Sequence, residues 1–135
     1  MERVLLVGLG GGLGSMARYA LGGLVGRWKG GWTFPLETLL VNVVGCLLMG
    51  LLASLAETRG VLSGTTRAFA LAGLLGGFTT FSSFGYETFQ LLRDGQFGAA
   101  ALSAGLQLGG GLGAVWGGSV VARWAWGGSA PAGKW

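Results

Sequence analysis

Residues 76–84 read Gly-Gly-Phe-Thr-Thr-Phe-Ser-Ser-Phe and interrupt an otherwise apolar segment that covers 68–92. Hydrocarbon cannot hydrogen-bond a freed backbone group, so irregular chain at membrane depth is stable only against protein or beside water. Broken membrane helices are also where ions and substrates are usually held. We therefore expect residues 76–84 to be unwound backbone at the middle depth of a bilayer and to form the functional centre.

The composition of the whole chain indicates a membrane environment. Of 135 residues, 51% are hydrophobic and only 10% are charged, with 30 glycines and no histidine. A soluble domain carries about a quarter charged residues. Eight of the nine basic residues lie outside the apolar runs, as at the ends of membrane spans, and the nine form no nucleic-acid-binding cluster. With no histidine and five acidic residues, the chain is predicted not to be an enzyme.

The apolar runs predict four membrane-spanning helices. A bilayer core requires about 20 apolar residues per helix, and the chain offers runs at 4–26, 36–56, 68–92 and 97–122. These runs are continuous rather than alternating, which favours helices over a β-barrel. We predict an all-α integral membrane protein of the cell membrane with four transmembrane helices per subunit, the third broken in its middle. Residues 1–126 form this domain, and 127–135 are expected to be a flexible tail.

Glycine spacing predicts how the helices contact each other. Glycines recur at four-residue spacing in the first span (Gly10, Gly14, Gly22, Gly26) and in the fourth (Gly105, Gly109, Gly113, Gly117). Membrane helices associate through close backbone approach over small residues, so both rows are expected to be contact faces. Arg18 lies between Gly14 and Gly22 and is expected to point into the bundle. It then requires acceptors, either carbonyl oxygens or hydroxyl groups.

The distribution of basic residues bears on assembly. Four spans are too few to enclose a hydrated path easily, so we expect a homodimer or a larger assembly. If alternate loops face opposite sides, one side holds three basic residues (Arg27, Lys29, Arg93) and the other five (Arg3, Arg59, Arg67, Arg123, Lys134). A three-to-five split orients a protein only weakly under the positive-inside rule. The hypothesis is insertion in both orientations, giving an antiparallel dual-topology dimer.

Polar residues within the spans indicate an anion path. Asn42 and Gln107 are costly in lipid and are expected to face a partner or water. Together with the hydroxyl cluster they offer neutral hydrogen-bond donors without a fixed cation, which suits an anion that must both enter and leave. Phe81 and Phe84 share a helix face; their ring edges can coordinate a small anion, or the rings can simply pack. Glu87 is either a vestibule carboxylate or a charge at the helix end.

The break also predicts a cation site. It leaves carbonyl oxygens without helical partners near Gly76 and Thr79, at the end of the first half-helix. Such an end carries partial negative charge and suits a bare cation such as sodium. In an antiparallel dimer the two breaks face each other and can share one ion.

Three motifs are similar to the signature of one known family, the Fluc/CrcB fluoride channels. They are Gly76-Gly77-Phe78-Thr79-Thr80-Phe81-Ser82-Ser83-Phe84-x-x-Glu87, Gly14-x-x-x-Arg18-Tyr19 and Thr38-x-x-x-Asn42-x-x-Gly45. The resemblance implies a dual-topology antiparallel homodimer that passes fluoride out of the cytoplasm through two pores, passively. It also implies a structural sodium ion at the dimer centre, held by the backbone carbonyls of Gly76 and Thr79.

The resemblance further implies roles for single residues. Phe81 and Phe84 correspond to the aromatic pair, and Asn42 to the pore amide. The polar track matches four further positions: Thr38, Thr80, Ser83 and Glu87. Relatives often carry a pore-facing tyrosine on the fourth span where this chain has Ser103, so Gln107 is expected to supply the polar group there. Arg18, Ser103 and Gln107 are predicted to be structural polar residues.

Two other functions remain as alternatives. A small dual-topology, proton-coupled drug exporter requires a membrane-embedded carboxylate, whereas the first, second and fourth spans have no interior acid and Glu87 lies late in the third. A structural subunit that conducts nothing requires only glycine-mediated contacts, and it leaves Asn42 and the hydroxyl cluster unexplained.

Overall fold

The structure, a computed structural model, describes residues 1–28, 30–60 and 62–126, apart from the side chain of Arg59. Within these ranges, four helices are long and apolar enough to cross a membrane: Glu2–Trp28, Leu36–Thr58, Gly64–Arg93 and Phe97–Trp126. They are called spans 1 to 4 below. The predicted all-α architecture with four spans is confirmed. The predicted flexible tail, 127–135, lies outside the described residues.

Short connections join the spans. Span 2 is helical over Leu36–Arg59 and ends at Gly60, whose φ of 60° lies in the left-handed region that glycine adopts without a Cβ clash. Span 3 begins after Ser63, whose hydroxyl accepts the N–H of Thr66 at 3.2 Å. Gly95, with φ of 74°, forms the turn into span 4. Connections this short make consecutive spans antiparallel.

Span 3 consists of two helical halves separated by two extended residues. The first half has α-helical ends, Gly64–Arg67 and Gly76–Phe78, around a π-helical stretch, Ala68–Leu75. Thr79 and Thr80 are extended. The second half is the α-helix Phe81–Arg93. The predicted break is confirmed.

The break is shorter than expected. The prediction that all of residues 76–84 are unwound is wrong, because both helical halves reach almost to the threonine pair. The N–H of Thr79 still bonds the carbonyl of Leu75 at 3.0 Å, which keeps Gly76–Phe78 helical. The hydroxyl of Thr80 accepts the N–H of Ser83 at 3.2 Å and so caps the second half. The break therefore consists of only two residues, Thr79 and Thr80.

Glycines bring the spans together in two pairs. Span 1 lies against the first half of span 3, and span 2 lies against span 4. A Cβ on Gly14 would collide with the carbonyl oxygen of Leu74, and one on Gly118 would collide with that of Leu47. Backbone therefore touches backbone at these points, as expected where lipid offers no hydrophobic drive between helices. The fully buried apolar side chains lie between the spans: Val41, Ala56, Leu75, Leu91, Ala100 and Ala122.

The two predicted glycine rows have different outcomes. Gly10 and Gly14 lie in close contact with span 3, which confirms the first part of the span 1 row. The span 4 row is wrong as a contact face within the subunit, since no described atom lies within 4 Å of a Cβ built on Gly105, Gly109, Gly113 or Gly117. Gly111 and Gly118 face span 2 instead. The reason is geometric: a four-residue step drifts by about 40° in an α-helix, and the π-helical turn Leu106–Gly110 shifts the register further.

Candidate ion-permeation site

The side chain of Asn42 bridges span 2 to the break in span 3. Its Oδ1 accepts the N–H of Thr80 at 2.8 Å, and its Nδ2 donates to the carbonyl oxygen of Thr80 at 3.0 Å. A carboxamide offers one acceptor and two donors, so it supplies the acceptor that the N–H of Thr80 loses at the break and also donates to the carbonyl of the same residue. Unwound backbone in a membrane requires this kind of internal partner. A polar side chain is therefore needed at Asn42 to bond the backbone of Thr80.

Gln107 of span 4 extends this arrangement. Its Oε1 accepts from Nδ2 of Asn42 at 3.0 Å, and its side chain is 8% exposed. It lies in the π-helical turn Leu106–Gly110. Thr80, Asn42 and Gln107 thus form one polar layer across spans 3, 2 and 4, and this name is kept below. Ser103 is 2% exposed, and it lines neither of the two cavities described below.

The aromatic pair begins the second half of span 3. The ring centroids of Phe81 and Phe84 are 5.4 Å apart, with the ring planes at 75°, an edge-to-face arrangement. This geometry directs the positive edge of one ring at the face of the other. Phe84 is half-buried, whereas Phe81 is 77% exposed on the subunit surface. The pair therefore lies at the boundary of the subunit.

Hydroxyl groups continue from the polar layer along the second half of span 3. The hydroxyl of Thr80 bonds that of Ser83 at 3.1 Å. Further along, the hydroxyl of Thr38 on span 2 donates to Oε1 of Glu87 at 2.7 Å. Glu87 thus lies within the cluster of predicted polar-track residues, which favours the vestibule interpretation over that of a charge at the helix end.

Two cavities meet at Thr80. The outer cavity, of about 610 Å³, is lined by polar and charged groups that include Arg18, Glu37, Thr38, Ser83, Glu87 and Asp94. The inner cavity, of about 250 Å³, is lined by Asn42, Gly45, Cys46, Met49, Thr79, Thr80, Phe81, Phe84, Gln107 and Leu108. The outer cavity therefore brings together Arg18 with four predicted path residues (Thr38, Thr80, Ser83, Glu87), and the inner one holds Asn42, the aromatic pair and Gln107.

Arg18 points into the bundle, as predicted. Its Nε donates to the carbonyl oxygen of Gly77 at 3.3 Å, and the hydroxyl of Ser15 donates to the same oxygen at 3.3 Å. Gly77 lies at the end of the first half of span 3, where carbonyls carry partial negative charge. The guanidinium therefore stabilises the helix end beside the break.

The backbone at this helix end also fits a small cation. Since the N–H of Thr80 bonds Asn42, the carbonyl of Gly76 lacks the donor that a continuous helix would supply four residues later. The carbonyl of Thr79 belongs to extended backbone and has left the helical ladder. Carbonyl oxygens freed in this way suit sodium. The carbonyl oxygens of Gly76 and Thr79 therefore fit sodium as ligands, and a bound sodium ion stays a prediction.

Sequence reasoning missed four residues of the inner cavity: Leu108 on span 4, and Gly45, Cys46 and Met49 on span 2. Of the three on span 2, only Gly45 entered the sequence analysis, as part of a motif. Their helical spacing from Asn42, at three, four and seven residues, was the available signal, because residues so spaced share one helix face.

Comparison with known proteins identifies the family. The family described as CrcB-like protein, Camphor Resistance (CrcB) matches residues 5–119. The chain belongs to the CrcB family. Relatives named fluoride-specific ion channel FluC include that of Methylobacillus flagellatus, 54% identical over 101 residues that cover 75% of this chain and 79% of the relative. That of Nitratidesulfovibrio vulgaris is 48% identical over 116 residues (86% and 93%), and that of Thermus thermophilus 54% over 104 residues (77% and 82%).

Family membership confirms the resemblance drawn from the three motifs. The matched range, 5–119, contains every residue from Arg18 to Gln107 that forms the site. As a CrcB-family chain with four spans, the protein is a multi-pass membrane protein. The assignment of single residues to an ion path stays a prediction.

Proposed function

We propose that this CrcB-family protein is a fluoride-selective ion channel that exports cytoplasmic fluoride passively down its electrochemical gradient. The observation that carries the proposal is the polar layer in the wall of the inner cavity, where Thr80, Asn42 and Gln107 meet beside the aromatic pair. Neutral donors hold an anion less tightly than a fixed cation would, so the ion can leave again. The printed name of the relatives supports fluoride as the anion.

The proposed path uses residues of both cavities. An anion enters the outer cavity past Thr38 and Glu87 and reaches the hydroxyls of Ser83 and Thr80. It then exchanges water for an amide donor at the polar layer and for the ring edges of Phe81 and Phe84. Each step replaces hydration with dipoles of fixed position, which is how channels select ions.

The proposed assembly is an antiparallel dual-topology homodimer with two pores. Phe81 is 77% exposed on the single subunit, so a second subunit is needed to close the path beside it. The span 4 glycine row is also open, which permits close approach of another helix. The weak three-to-five split of basic residues allows both orientations.

Sodium is the proposed structural ion at the dimer centre. The backbone carbonyls of Gly76 and Thr79 from both subunits would hold it, and the ion would supply positive charge that offsets four partially negative oxygens. Purifying the protein with N-methylglucamine in place of sodium should weaken the dimer on size-exclusion chromatography. A dimer indifferent to sodium would contradict this part of the proposal.

Fluoride efflux from proteoliposomes tests the function. A potassium gradient with valinomycin sets the membrane potential, and a fluoride electrode follows release. We expect fluoride efflux that follows the potential and continues without a proton gradient, with chloride efflux far slower. Efflux that requires a proton gradient would favour the coupled exporter, and no efflux from correctly assembled protein would favour the structural subunit. Labelling a cysteine added at the N-terminus of a Cys46→Ala protein tests topology: it should react from both sides of the cell membrane.

A further inference from the structure

The hydrogen bonds of the polar layer fix which way each amide faces. The N–H of Thr80 can only donate, so the group of Asn42 that lies 2.8 Å from it must be the oxygen, Oδ1. The nitrogen, Nδ2, therefore faces the other way. Its neighbour on Gln107, at 3.0 Å, must then be the oxygen, Oε1. The orientation of both side chains follows from one backbone N–H at the break.

Asn42 has no donor left in this arrangement. A primary amide carries two N–H donors, and Nδ2 of Asn42 has two acceptors, the carbonyl of Thr80 at 3.0 Å and Oε1 of Gln107 at 3.0 Å. An anion can take an N–H from Asn42 only by breaking one of these bonds. Both N–H donors of Asn42 are thus used in hydrogen bonds within the protein.

Gln107 has its donors free. No described residue accepts from its Nε2, although this atom is buried and the side chain is only 8% exposed. Buried polar groups are nearly always hydrogen-bonded, and an exception indicates an ordered water or an ion at that place. Gln107 also lines the inner cavity together with Phe81 and Phe84. Gln107 is therefore a wall residue of the inner cavity whose amide donors have no acceptor among the described residues.

We infer that Nε2 of Gln107 is the amide that donates to the permeating anion in this chain, and that Asn42 is the positioning residue that holds Gln107 in place. The inference rests on the proposed channel function and assigns one role within it. The ligand is a small anion that accepts strong hydrogen bonds, and fluoride is the probe. Gln107 thereby changes from a structural polar residue into a binding residue.

Side-chain amide NMR spectroscopy tests the inference on the wild-type protein. The chain has a single asparagine, Asn42, and three glutamines, Gln90, Gln96 and Gln107. Labelling the side-chain amides with ¹⁵N thus gives four NH₂ groups, which single substitutions assign. Gln90 and Gln96 line the outer cavity and show how an amide outside the polar layer responds to the same salt. We expect sodium fluoride to shift the Gln107 signal in a saturable way, more than that of Asn42, and sodium chloride to leave it unchanged. A saturable shift of Asn42 with Gln107 unmoved would overturn the inference.

Two substitutions separate donation from mere support of Asn42. Gln107→Glu keeps the acceptor oxygen for Asn42 but removes both N–H donors and adds a negative charge, so we expect fluoride efflux to fall at least tenfold. Gln107→Met keeps the length of the side chain without any polar atom and should show a similar loss. Ser119→Ala, on the same span and lining neither cavity, removes a hydroxyl that bonds the carbonyl of Trp116; it is the control and should stay within twofold of wild type.

The outcomes distinguish a failure of the inference about Gln107 from a failure of the proposed channel function. Wild-type efflux in Gln107→Glu would mean that Gln107 only supports Asn42, and the inference would fail while the channel function stands. Absence of fluoride efflux from the wild-type protein would instead remove the function itself. If either variant fails to assemble, the titration of the wild-type amides still decides the question.

Discussion

The outer and inner cavities meet at one residue, Thr80, yet they differ in size and chemistry. The outer cavity, of about 610 Å³, has charged walls that include Arg18, Glu37 and Glu87. The inner cavity, of about 250 Å³, is lined by amides, sulfur atoms and two aromatic rings, without an ionised group. A wide polar cavity leaves an ion hydrated, whereas a narrow one replaces water with protein dipoles. Selectivity should therefore reside in the inner cavity, and substitutions there should have the larger effects.

A single added methyl group should give the largest effect. Gly45 lines the inner cavity, and a Cβ at this position would collide with Cγ2 of Thr79 and lie 3.1 Å from the ring of Phe78. Gly45→Ala must then displace the break, at a cost of about 1–3 kcal/mol for overpacking. We expect fluoride efflux to fall by about tenfold or more, because the displaced break borders the inner cavity.

Gly23→Ala is the matched control in the outer cavity. It lines that cavity, and no described atom lies within 4 Å of a Cβ built there. Its efflux and its thermal unfolding midpoint should equal those of wild type. An equal loss of fluoride efflux in Gly45→Ala and Gly23→Ala would contradict the proposed difference between the two cavities.

Replacing the aromatic rings should give the next largest effect. Phe81→Ile and Phe84→Ile keep most of the apolar volume but remove the aromatic rings that line the inner cavity. We expect efflux about tenfold lower in each variant, with the dimer intact on size-exclusion chromatography, since a favourable ring-edge contact contributes on the order of 1 kcal/mol. Phe89→Ile, an exposed position on the same helix, should behave as wild type. Normal efflux in both inner-cavity variants would exclude the rings from the path.

The smallest effect is expected in the outer cavity. Thr38→Val removes the hydroxyl that donates to Glu87 at 2.7 Å. Water can take its place in so wide a cavity, at little cost in free energy. We expect efflux to fall no more than about threefold, and Thr58→Val, whose exposed hydroxyl bonds only its own helix at Ser54, to change nothing. A tenfold loss in Thr38→Val would move the selective step to the outer cavity.

Much of the fold could be predicted because it depends on the hydropathy and hydroxyl content of short stretches of chain. The four spans followed from apolar runs of about 20 residues. The break followed from the Gly-Gly and hydroxyl cluster, since a membrane helix interrupted there requires internal partners. The inward direction of Arg18 followed from its place between Gly14 and Gly22, and the structure supplies its acceptor, the carbonyl of Gly77.

The rest depends on contacts between distant residues. The extent of the break was overestimated because the cap at Thr80 and the bond from Thr79 to Leu75 cannot be read from composition. The span 4 glycine row does not face span 2 within the subunit, because a π-helical turn changes which residues of span 4 do so. The division of roles between Asn42 and Gln107 requires the direction of each hydrogen bond, which residue types alone leave open. These features are set by tertiary structure.

The central claim is that fluoride passes through the inner cavity beside the polar layer, and Cys46 allows a direct test. It is the only cysteine in the chain and lines that cavity. Benzyl methanethiosulfonate, a neutral reagent that crosses membranes, attaches a bulky group to its sulfur, and intact-protein mass measures how complete the reaction is. We predict that fluoride efflux falls in proportion to modification, returns on reduction, and is unaffected in Cys46→Ala. Undiminished efflux from fully modified protein would contradict the claim.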